Sequence, residues 1–309
     1  MNSKKVNWLF LTVIIAHLVV SLLLSFTPLG IYVGQSITIN LILAQMIVWV
    51  PAVIFLIATR TNPLKFCRFR CVKPTTLLMT VLFTMLCSPI VTLANAVSLL
   101  FVENTIAGMS GELMELSFGT MFFLMAIHAP FFEEFVCRGV FYQGYKRQGN
   151  AFKAMLLGAL LFALIHLNFN QAAYAFVAGI MLILMMEATD SIWPSFLIHF
   201  CINGFSAVAT FGLSLMEDDM TQMLEEAAAT TTTATEDMLM VMSLYFLLAV
   251  ICTPLAGCVL VWIAGNEGRK NALKELFAGR KRKEKLITLP LIIAIVICLV
   301  FMVLTVIKG

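Results

Sequence analysis

The chain has 309 residues, of which 61% are hydrophobic and 12% charged, with a mean hydropathy of +0.97. A soluble domain carries roughly 25% charged residues, so this composition excludes a soluble globular protein and leaves a polytopic membrane protein. The net charge of +3 is small and says little until the charges are placed along the chain.

Apolar runs long enough to cross a bilayer, roughly 20 residues each, are predicted at 8–26, 38–59, 75–101, 118–142, 152–168, 171–188, 192–213, 239–264 and 286–307. The fold class is therefore all-α: a polytopic transmembrane helical bundle of eight to nine spans, forming one integral membrane domain over 1–309. The first run follows Lys4 and Lys5. It is too long for a signal peptide, and SLLLSFTPLG offers no small-x-small cleavage site, so it reads as an anchoring helix. Only Asn168, Asn170 and Gln171 separate the fifth and sixth runs, which suggests a tight hairpin that does not fully cross.

Charge sign sorts the connections. Lys4 and Lys5, then Arg60, Lys65, Arg68, Arg70 and Lys73, then Lys146, Arg147 and Lys153, and finally Arg269 to Lys285 fall on one side if the spans alternate. That side is expected to be cytoplasmic, with the amino terminus inside. The opposite connections carry Glu103, Glu112 and Glu115, then the acids of 217–237. The turn at Glu187–Asp190 departs from this pattern. Residues 217–237 include AAATTTTAT and read as a polar, low-complexity loop. The basic 266–285 stretch is a topology determinant or an interfacial helix on anionic lipid.

Most of the eight cysteines fall in apolar runs and read as small buried hydrophobes rather than disulfides. Cys67 and Cys71 share helical spacing, but one CxxxC without a second pair is weak zinc evidence. Pro130, Pro194 and Pro254 are expected to kink or end helices, and Gly139, Gly179 and Gly204 to allow close packing.

Ionisable groups at bilayer depth are costly and rarely persist without a partner and a task. Glu133, Glu134 and Arg138 lie in the fourth run, His166 in the fifth, and His199 and Asn203 in the seventh. At 1.5 Å per residue, Glu133 sits about 12–14 Å from the cytoplasmic end of its helix, His166 roughly 20 Å, His199 about 10 Å and Asn203 about 16 Å. These depths permit a shared site. Glu134 and Arg138 are spaced i, i+4 and can pair on one face. Glu133 is rotated by about 100° and free to face a cavity. Phe162 and His166 share a face, as do His199 and Asn203. His128 reads as a packing residue.

EEFVCR (Glu133–Arg138), FALIH (Phe162–His166) and HFCIN (His199–Asn203) match EExxxR, FxxxH and HxxxN. In this order the motifs resemble the CAAX-prenyl-protease and bacteriocin-processing (CPBP, or Abi) family of intramembrane endopeptidases. AGI at Ala178–Ile180 and TDSIWPSFLIH at Thr189–His199 are also similar to family sequence. The resemblance covers 118–213, which it implies are the catalytic core helices, and it implies peptide hydrolysis in the membrane plane. Glu133 is then the general base, with His166 positioning the water. His199 and Asn203 donate to the oxyanion, while Glu134, Arg138 and Phe162 support them. The preferred reading requires no cofactor; a zinc-activated water held by Glu133, His166 and His199 is the other route. Expected partners are membrane lipid and a membrane-bound or prenylated peptide, in some family members bacteriocin-related, and not nucleic acid. The short termini suggest a prokaryotic cell membrane. The alternatives are a non-catalytic peptide-binding or bacteriocin-immunity protein using the same pocket, and a proton-coupled transporter. The absence of a visible internal repeat weakens the transporter, and a purely structural polar network would leave one glutamate without a partner.

Overall fold

Inside lipid, a helix is one of the few structures that satisfies every backbone polar group along a crossing segment, and the apolar runs are predominantly helical. The computed structural model describes residues 2–102, 110–148, 150–215, 234–278 and 285–308, and no strand occurs among them. The principal helices are α1 (Ser3–Phe26), α2 (Ile37–Ala58), α3 (Pro74–Leu99), α4 (Phe118–Lys146) and α5 (Ala151–Leu164). They continue as α6 (Phe169–Thr189), α7 (Ile192–Ser214), α8 (Ala234–Asn266), α9 (Lys270–Ala278) and α10 (Leu289–Lys308). All but α5 and α9 are long and apolar enough to cross a membrane, giving 8 candidate spans among the described residues. The chain is a multi-pass membrane protein. The low-complexity loop at 217–237 and the basic residues 280–283 lie largely outside the described residues.

The fifth apolar run is corrected. It is expected over 152–168, yet the helix stops at Leu164, and its 14 residues rise about 21 Å. A hydrocarbon core is about 30 Å thick, so the α5 helix alone is too short to span it. Two local features end it. Leu167 has φ 53°, the left-handed region that branched side chains avoid. Asn168 then caps α6, its side chain accepting from the Gln171 N–H at 2.7 Å. His166 consequently sits in the α5–α6 turn rather than within a span.

Helix α4 is interrupted twice by π-helical turns, at Phe123–His128 and Phe135–Tyr142, bracketing the two glutamates. Such turns shift the helix face and commonly accompany functional sites. Close packing is set by two of the three expected glycines. A Cβ on Gly179 would lie 3.0 Å from Ala159 Cα, and one on Gly139 would lie 2.7 Å from Cys67 Sγ. At Gly204 a Cβ would meet only ordinary contacts, the nearest at 3.5 Å. Cys67 is buried and Cys71 exposed, so the pair does not share a face. Burial in this connection pushes the Cys67 thiol up to about 12.

The acidic turn that broke the charge pattern has a direct explanation. Glu187 pairs with Lys146, and Asp190 pairs with Arg68, Arg70 and Arg269. These acids are counter-ions embedded in the basic face. The same face gathers the amino terminus. Ser3 donates to the Lys285 carbonyl at 2.8 Å, and Asn7 donates to the Leu286 carbonyl at 2.8 Å. Tyr145 in turn donates to the Asn7 side chain.

Candidate active site

The two glutamates close the short α-helical turn Ala129–Glu134 of α4. Their offset sends them to different neighbours. Glu134 is fully buried and forms an ion pair with Arg138 at 2.9 Å, along one helix face. Glu133 lines a cavity of about 310 Å³ together with His166, His199, Asn203, Gln45 and His17. A single water occupies roughly 30 Å³, so the space accommodates solvent and a stretch of peptide.

His199 ties the two acids together. Its Nδ1 lies 2.9 Å from Glu134 Oε1, and its Nε2 lies 3.7 Å from Glu133 Oε2. An ionised carboxylate only accepts, so the Glu134 that pairs with Arg138 fixes the His199 proton on Nδ1. Nε2 therefore faces Glu133 as a lone pair when neutral and as a donor when the ring is protonated. The 3.7 Å separation suits a bridging water better than a direct bond.

Phe162 is the packing centre of the site. The Arg138 guanidinium stacks 3.9 Å from its ring centroid, while His166 and His199 meet the ring edge-on at 5.1 and 5.6 Å. Burying the arginine against a desolvated aromatic face offsets part of its lost hydration, a contact worth about 2 kcal/mol. Removing one member of a buried ion pair generally costs about 3–5 kcal/mol, because the other charge is stranded. The Glu134–Arg138–Phe162 stack is thus the rigid floor on which His199 is held.

His166 Nδ1 lies 2.8 Å from the Phe162 carbonyl, which can only accept. The Nδ1 proton is therefore fixed there, and Nε2 is left as an acceptor. Asn203 is held differently from expectation: its Nδ2 donates to the Met125 carbonyl at 3.0 Å. The reason lies in α4. In the π-helical turn the Ala129 N–H reaches back to Leu124, so the next donor in line for Met125 would be residue 130. That residue is proline and has no N–H. Asn203 supplies the missing donor, and one amide hydrogen remains for the cavity. His128 packs edge-on against Phe132 at 4.7 Å, as a packing residue should.

Two lining residues escape the motif reading. Gln45 of α2 donates from Nε2 to Glu133 Oε1 at 2.9 Å, and its own Oε1 is buried without a hydrogen-bond partner. His17 of α1 also faces the cavity. Each is a strongly polar side chain near the middle of a largely apolar span, and that anomaly was the available signal. Among the described residues no three His, Cys, Asp or Glu side chains group closely enough to hold an ion. Glu133, His166 and His199 line one cavity but, as arranged, are not a ligand set.

Residues 115–205 match the family model described as type II CAAX prenyl endopeptidase, Rce1-like. The match spans all three motifs and agrees with the family resemblance they carry. No curated protein and no solved structure matches the chain.

Proposed function

We propose, taking the type II CAAX prenyl endopeptidase match as premise, that the protein is an intramembrane endopeptidase that hydrolyses a membrane-tethered peptide. The observation that carries this reading is the placement of Glu133. Its carboxylate is anchored by Gln45 and lies 3.7 Å from His199 Nε2, beside a cavity that His166 also lines. The matched family's description makes a prenylated peptide the first substrate class to try.

In the reading offered here, Glu133 takes a proton from a water that His166 Nε2 orients by accepting its second hydrogen. The oxygen attacks the scissile carbonyl carbon, and the carbonyl electron pair moves to the oxygen. The free Asn203 amide hydrogen and a protonated His199 stabilise that oxyanion. Glu134 supports the imidazolium, as a carboxylate behind a histidine does in other hydrolases. Protonated Glu133 then returns its proton to the leaving nitrogen as the C–N bond breaks. The products are a carboxylic acid and an amine.

The test is cleavage of prenylated and unprenylated peptides by protein purified in detergent, with and without chelator. Glu133→Gln should lower turnover at least about 100-fold, the usual contribution of a general base, with folded yield unchanged. Full activity in that variant removes the base assignment. A cellular phenotype retained by Glu133, His166 and His199 variants alike would identify a binding protein instead.

A further inference from the structure

On the basic face, at the ends of α6 and α8, arginines converge to an extent that the mechanism does not use. Asp190 accepts Arg70 directly, with Arg68 Nε at 3.4 Å and Arg269 Nη2 at 3.9 Å. Three guanidinium groups from two separate connections thus share one carboxylate. Arg147 adds a fourth positive group, stacked 4.4 Å from the Phe66 ring. Its pKa is lowered by burial and then by the nearby charge of Arg68. Lys146 and Glu187 neutralise each other beside the cluster.

The cluster is a built feature. The Arg68 carbonyl accepts from the Ile192 N–H at 3.0 Å, and the Arg70 carbonyl accepts from Ser191 Oγ. These bonds fasten the connection to the α6–α7 turn. Asp190 itself takes a left-handed conformation, φ 53°, which asparagine and aspartate tolerate best. Arg68 Nε and Arg269 Nε are buried without hydrogen-bond partners. The Arg70 side chain remains 63% exposed. One carboxylate cannot satisfy three five-donor forks, so the site holds surplus positive charge and N–H donors at the level where the spans end.

We propose that the Arg68–Arg70–Arg269 cluster binds the phosphate of an anionic phospholipid headgroup. Arginine forks match phosphate oxygens two at a time. Basic groups at the membrane surface attract anionic lipid over about a Debye length. The amphipathic helix α9, beginning directly after Arg269, buries Leu273 and Leu276 against the bundle and keeps the cluster at this depth. This site is independent of the hydrolytic reading.

The experiment is thermal denaturation of the purified protein in phosphatidylcholine vesicles, with or without phosphatidylglycerol, and separately with inorganic phosphate. Phosphatidylglycerol should raise Tm saturably in the wild type and in Glu133→Gln alike. Arg70→Gln combined with Arg269→Gln should weaken its apparent affinity about thirty-fold, the worth of two surface arginines. Asp190→Asn, which keeps the turn geometry but removes the competing anion, should show a larger phosphatidylglycerol response than the wild type. An equal response to phosphatidylcholine, an equal response to inorganic phosphate, or an undiminished response in the double variant would overturn the proposal. So would an Asp190→Asn response no larger than that of the wild type.

Discussion

Gln45 shows how much a single neutral residue decides in this site. It donates to Glu133 Oε1 from a helix outside the matched stretch, and so leaves Oε2 as the oxygen that faces His199. One hydrogen bond to a charged group is worth about 1.5–3 kcal/mol. Gln45→Ala is accordingly expected to lower kcat by about 10- to 100-fold while leaving KM within a few-fold. Steady-state kinetics on the same peptide check this; a change confined to KM would make Gln45 a substrate contact instead. At this scale the sequence was readable where charge was involved. The i, i+4 spacing of Glu134 and Arg138 announced their pairing, now seen at 2.9 Å. The partner of Asn203 was not readable, because it depends on a carbonyl freed by a π-helical turn and a proline in another helix.

Helix α4 carries the acids, and its register is set by the connection that packs on it. Cys67 presses against Gly139, where an added Cβ would lie 2.7 Å from Sγ and 2.8 Å from the Cys67 Cβ. For Gly139→Ala two effects compete. Helix propensity gains about 1 kcal/mol, whereas forcing atoms into a filled core costs typically about 1–3 kcal/mol. Two contacts under 3.0 Å make overlap the larger effect, so the variant should be destabilised. Thermal denaturation in detergent measures this, and adding Cys67→Gly should restore much of the loss. If the single variant is as stable as the wild type, the connection yields more easily than its burial suggests. Hydropathy located α4 and α6 within a few residues, since a span must be apolar along its length. It overran α5, because Ile165, His166 and Leu167 extend the pattern while the left-handed Leu167 ends the helix.

The whole molecule is polarised. Basic connections, the amino-terminal Ser3 and Asn7, and the acids Glu187 and Asp190 all meet on one face. The charge rule expects that face to be cytoplasmic. Cys71, exposed in the connection between α2 and α3, gives a native probe. In intact cells a membrane-impermeant maleimide should leave it unlabelled, and permeabilisation should expose it; labelling of intact cells would invert the orientation. The gathering of the described basic connections on one face was legible from sequence, but the place of the Glu187–Asp190 turn among them was not. That turn was opaque because an acid's role depends on which arginines fold over it, which spacing along the chain does not encode.

The short reach of α5 has a consequence for what the proposed hydrolysis could cut. His166 stands at the top of a helix that climbs about 21 Å from the basic face. A peptide entering from that face in extended form, at about 3.3 Å per residue, needs roughly six residues to bring a bond level with the imidazole. Under the proposed hydrolysis, the bundle would act as a ruler, selecting the scissile bond by its distance from the membrane surface as much as by the side chains around it.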